Sequence, residues 1–193
     1  MKESTVLLGY ADLIENTDKH LKKHFILFSI LGLIAGLGRF VQEGGWGNIN
    51  AGLLTLLEVI VNLARLLIIF AVIGRGQPLA GFNHFLAIFR LRKSDWLDTW
   101  SNFKNNVRHH FLAILVNLII YVIVAVITNI AIFATLEYSP LLNWLKSADL
   151  ISQSAGKWPV ILLLKNISII PFTLVFETLL VMWIVERNKT IEE

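Results

Sequence analysis

Four stretches of the chain, near residues 25–41, 53–74, 111–136 and 160–185, are apolar almost throughout, with shorter polar or basic segments between them. A helix rises about 1.5 Å per residue and a bilayer core is about 30 Å thick, so each stretch predicts a transmembrane helix. The second carries the most information. From Leu53 to Ile73 its apolar run is broken by Glu58, Asn62 and Arg65. At 100° per residue Asn62 falls about 40° from Glu58 and Arg65 about 20° from it, which places all three on one stripe. Charges inside a bilayer are costly, so this stripe is predicted to face protein or a wet cavity.

The other spans carry polar stripes of their own. In the third, Asn117, Tyr121, Thr128 and Thr135 fall within about 40° of one another. The fourth opens at Trp158-Pro159 and carries Asn166, Thr173 and Glu177, with Pro171 predicted to kink it and free a carbonyl that Ser168 or a neighbouring helix helps to satisfy. Arg65 lies ten residues before Arg75, and Glu177 ten before Arg187, so each sits about 15 Å inside the boundary. Tyr121 comes out at about 16 Å by the same rise. The matched depths predict an Arg65–Glu177 ion pair with Tyr121 beside it and Glu58 and Asn62 extending the network. The first span offers Gly32 and Gly36 at GxxxG spacing with Ala35 beside them, a pattern that lets another helix approach closely. Residues 42–50 (QEGGWGNIN) read as a tight turn with Trp46 at headgroup level, making the first two spans an antiparallel hairpin.

Between and before the spans, amphipathic patterns predict elements that rest on the membrane surface. Residues 4–14 place Val6, Leu7, Tyr10, Leu13 and Ile14 at helical spacing. Lys19, Lys22 and Lys23 then precede the first span in the manner of a signal peptide, but the long polar leader and Arg39 in the expected cleavage region point to a retained span. The second span stops at Gly74-Arg75-Gly76-Gln77-Pro78. In the loop 75–110, Phe82, Phe85, Leu86 and Phe89 recur at i, i+3, i+4 and i+7, followed by Arg90, Arg92 and Lys93. A second interfacial helix is predicted from Ser94 as N-cap, with Trp96, Trp100, Phe103 and Val107 on its apolar face and Lys104 and Arg108 reaching headgroups. These aromatic and basic positions form a candidate docking surface for lipid or a protein partner. The segment 137–159 is read as having no regular structure.

Composition fits this picture and narrows the function. Hydrophobic residues make up 55% of 193 and charged residues 16%, too apolar for a soluble domain of this size. The spans leave no room for a separate soluble domain, so residues 1–193 are read as one membrane domain. Twelve of the 17 Lys and Arg lie in segments 1–24, 75–110 and 186–193, whereas 42–52 and 137–159 hold only Lys146 and Lys157. The positive-inside rule then predicts an all-α, four-helix bundle with both termini and the 75–110 loop cytoplasmic (N-in/C-in), as in a bacterial inner membrane. The same topology accounts for the net charge of +3 without nucleic acid. Without cysteine there is no disulfide, iron–sulfur cluster, thiolate zinc site or cysteine nucleophile.

No cofactor, metal or catalytic motif is legible. His109 and His110 point about 100° apart on a helix and do not readily share a metal, and HExxH, GxSxG and phosphate-cradling glycine loops are absent. The polar residues Glu58, Asn62, Arg65, Asn117, Tyr121, Thr173 and Glu177 serve either as glue between helices or as a proton or ion path. The sequence therefore predicts a non-catalytic accessory or assembly subunit of a membrane complex. The alternative is a small homo-oligomeric channel or ion-coupled transporter using Glu58, Arg65 and Glu177.

Overall fold

The computed structural model describes residues 11–186, and within them it contains nine α-helices and no strand. Three are long and apolar enough to cross a membrane: α2 (Phe25–Gln42), α3 (Ala51–Ile73) and α6 (Phe111–Tyr138). A fourth candidate is the pair α8 (Trp158–Ile167) and α9 (Ile169–Glu186), bent by 41° where they meet. These helices mark the chain as a membrane protein. The shorter helices are α1 (Asp12–Lys23), α4 (Pro78–Ile88), α5 (Lys93–His109) and α7 (Leu141–Ser147). Most of the helix expected over 4–14, including Val6, Leu7 and Tyr10, lies outside the described residues; α1 takes up at Asp12 and runs on through the lysines to Lys23.

The described chain forms two compact units. One comprises His24–Ile68 and Val124–Thr173. In it α2 approaches α8 through the small residues Gly32 and Gly36. A Cβ on Gly32 would stand 2.7 Å from the Asn166 carbonyl oxygen, and one on Gly36 would stand 3.0 Å from that of Leu163. On the α3 side, a Cβ on Gly38 would meet Val61 Cγ2 at 2.5 Å. The core of this unit gathers Phe40, Ile132, Leu136, Ile151, Ala155, Val160 and Ile161. The turn after α2 needs left-handed backbone at Gly44 (φ 81°) and Gly47 (φ 97°), which glycine adopts without steric cost. Trp46 Nε1 then donates to the Leu150 carbonyl at 3.0 Å, and Ser152 N–H to that of Gly45 at 2.8 Å.

One sequence expectation is corrected in this unit and another is located. The segment 137–159 was expected to lack regular structure, but it contains α7, because Leu141, Leu142 and Leu145 pack against the core and Pro140 precedes the first turn. The kink expected from Pro171 is present, as a 41° break at Ser168. A proline ring clashes with the carbonyl four residues earlier, here Ile167, so the helix parts one turn before the proline. Ser168 Oγ donates to the Leu164 carbonyl at 2.6 Å and so does not satisfy the carbonyl that Pro171 frees.

The other unit comprises residues 11–23, Ile69–Ile123 and 174–186. Its α3 end closes with a Schellman motif: Gly76 N–H donates to the Ala71 carbonyl (2.6 Å) and Arg75 N–H to that of Val72 (3.1 Å). The left-handed position usually given to glycine is held by Arg75 at φ 52°. The chain turns back so tightly that a Cβ on Gly81 would lie 1.7 Å from the Phe70 carbonyl oxygen. Phe70 accordingly packs on Phe82 and Phe85, with centroids at 5.3 and 5.6 Å. Ser94, expected as the cap of the next helix, is not the N-cap; Arg92 is. Asp95 at N3 supplies the capping interaction, accepting Arg92 N–H at 3.2 Å.

Candidate functional site

The turn after α2 makes residues on either side of it neighbours, and within two turns of it stand a cation on one helix and an anion on the other. Arg39 Nη1 donates to Glu58 Oε2 at 2.8 Å and Nη2 to Oε1 at 2.9 Å, a bidentate fork. Gln42 Nε2 donates to Glu58 Oε2 (3.1 Å) and to the Leu54 carbonyl (3.1 Å), while its Oε1 accepts from Arg39 Nη1 (3.1 Å). Asn62 Nδ2 donates to Glu58 Oε1 at 3.0 Å. Both carboxylate oxygens thus accept two N–H groups each, which uses the acceptor capacity of the group. Half-exposed as it is, the cluster locks α2 to α3.

Glu58 and Asn62 share the expected stripe, but Arg65 is engaged elsewhere. Its Nη2 donates to Asn166 Oδ1 at 2.9 Å, and the fully buried Asn166 anchors itself by donating Nδ2 to the Leu162 carbonyl at 2.8 Å. Arg65 Nε has no partner among the described residues. Glu177 was the expected partner of Arg65; the partner found is Asn166. Asn166 lies in the same compact unit as Arg65, with its side chain fully buried, and the last span is bent by 41° at Ser168, so a wheel drawn for one straight helix does not apply to it.

In the other unit Tyr121 stacks on Phe176, with centroids 4.6 Å apart and planes 7° from parallel. Asn117 is buried and donates to the Ala113 carbonyl at 2.8 Å, leaving its Oδ1 without a partner among the described residues. Glu177, next to Phe176, is exposed and makes no hydrogen bond or ion pair among the described residues. Val181 and Val185, one and two turns on, are also exposed, at 56% and 37%. Thr173 is half-buried.

Of the expected docking residues, Phe82 and Phe85 are partly occupied by Phe70, whereas Phe89, Trp96 and Trp100 stand out with exposures of 69%, 47% and 57%. Arg90, Arg92 and Lys93 are exposed, and Phe103 stacks on Trp100 at 5.4 Å. α5 is held by a residue that sequence reasoning passed over: Asn106, buried, donates Nδ2 to the Ile184 carbonyl at 2.8 Å. Arg39 and Gln42 were missed as well, although folding the hairpin about residues 48–49 pairs position 39 with 58 and so carried the signal. Lys165, a cation within the last span, places its ammonium 5.6 Å from the Phe133 ring and 6.0 Å from that of Trp158.

The described residues contain no group of three or more His, Asp or Glu able to hold a metal. His109 Nδ1 lies 2.8 Å from the Asn105 carbonyl, a contact within its own helix. Comparison of the chain with protein-family models, with curated proteins and with solved structures finds no match.

Proposed function

We propose that this protein is a non-catalytic accessory or assembly subunit of a membrane complex: one four-span domain with both termini cytoplasmic, in a bacterial inner membrane. The observation that carries the reading is Glu177. It stands exposed in mid-helix, without a partner among the described residues, on a face continued by Val181 and Val185. A charged side chain at the bilayer centre costs about 2.5–3.5 kcal/mol on insertion scales, so this face calls for a cation, a donor or water from outside the described chain. A neighbouring subunit supplies the first two and also covers the valines. The exposed aromatic and basic residues of α4 and α5 offer that complex a second contact, on the cytoplasmic side.

The transport alternative needs carboxylates free to take up a proton or an ion. Glu58 already accepts four N–H groups, which weighs against a relay through it. A photoactivatable residue at Val181 tests the subunit reading in intact cells. The expected product is one adduct with a different polypeptide, lost in Glu177→Ala. Adducts with lipid alone, or a yield indifferent to Glu177, would contradict the proposal.

A further inference from the structure

Where α5 gives way to α6, Phe103, Lys104, Val107, Arg108 and Phe111 line an open groove of about 520 Å³. Its floor is the apolar Phe103, Val107 and Phe111; its rim carries two cations one helical turn apart. Neither cation forms an ion pair among the described residues. Lys104 Nζ lies over the Trp100 ring at 5.9 Å, which leaves its donors available. The acidic residues of α5, Asp95 and Asp98, lie one to two turns or more before Lys104, and Asp95 is engaged with Arg92 N–H.

Phe111, the last residue of the groove, also begins an apolar track. Phe111, Leu115, Leu118 and Val122 follow one another at i, i+4, i+7 and i+11 on α6, with exposures of 60%, 39%, 36% and 52%. At about 1.5 Å per residue the track is about 16 Å long, which matches half of a hydrocarbon core of about 30 Å. A cation pair above an apolar helix face the depth of one leaflet is complementary to a single ligand class: an amphiphile with an anionic head and long acyl chains. Asn106, tied to the Ile184 carbonyl, fixes the helix that presents both cations.

We propose that this groove is a binding site for an anionic phospholipid, its phosphate held between Lys104 and Arg108 and one acyl chain laid along Phe111 to Val122. The site depends on the membrane assignment and is independent of the subunit reading. Native mass spectrometry of the full chain, extracted in micelles holding equal phosphatidylglycerol and phosphatidylcholine, tests it. Two basic residues near a membrane surface favour the anionic lipid by roughly tenfold or more, the expected ratio of retained molecules. Lys104→Gln with Arg108→Gln should bring that ratio close to one, and the charge-preserving Lys104→Arg with Arg108→Lys should keep it. Both variants are checked for an unchanged elution volume, and the second shows that the helix tolerates change at these positions. Millimolar inorganic phosphate should leave the bound lipid in place. Equal retention of the two lipids by the unaltered protein, a preference that survives neutralisation, or displacement by phosphate would each overturn the proposal.

Discussion

Most polar side chains within the long helices are satisfied in one of two ways, and the difference decides which residues matter. Thr128, Thr135, Thr178, Asn117 and Asn129 each donate to a carbonyl four residues earlier in their own helix. Such back-bonding lets a polar side chain sit in a membrane helix without a neighbour and gives little glue between helices. Arg39, Glu58, Gln42 and Asn62 instead satisfy one another across a hairpin. Removing either charge leaves the other uncompensated, so Arg39→Gln and Glu58→Gln should each lower the monodisperse folded fraction several-fold. The double variant should recover part of that loss, read by fluorescence-detected size exclusion. At Arg75 the left-handed backbone works against a non-glycine residue by about 1–2 kcal/mol. Arg75→Gly should therefore raise thermal stability in detergent, whereas a fall would show that the side chain's anchoring outweighs the strain.

At the scale of the helix, close approach between α2 and α8 is the arrangement most exposed to test. Gly32→Ala gains about 1 kcal/mol of helix propensity but drives a methyl to 2.7 Å from a backbone oxygen, and overpacking costs about 1–3 kcal/mol. The clash wins, so the melting temperature should fall, while Gly52→Ala, with nothing nearer than 3.5 Å, should hold or raise it. That some helix could approach α2 closely was legible in the sequence, as Gly32 and Gly36 one turn apart inside an apolar run, although the partner, α8, was not. The positions of the spans and the aromatic period of α4 were legible too, because hydropathy and a 3.6-residue repeat are local properties. What the sequence concealed came from events between elements. The wheel of the last span assumes one straight helix, whereas the span is bent by 41° at Ser168. α7 is helical because Leu141, Leu142 and Leu145 find a core, which no window of the segment's own composition reveals. Asn106 reads as one more polar residue on α5 until the Ile184 carbonyl accepts its amide.

For the whole molecule the surface is the argument. α6 is apolar from Phe111 to Leu136, and eleven of its large hydrophobic residues, from Phe111 to Phe133, stand exposed. Lipid explains such a face without further help. It does not explain Glu177, which the described chain leaves without a partner on a helix otherwise as apolar. The proposed second subunit would resolve that conflict, and the proposal stands or falls with its existence. The most direct measurement is the mass and composition of the particle released from native membranes by a mild detergent. The account predicts a second polypeptide in fixed ratio with this chain, its share falling at least several-fold when Glu177 is replaced by Gln and the chain itself still folds. A particle made of this chain alone, with the same mass in the variant, would contradict it.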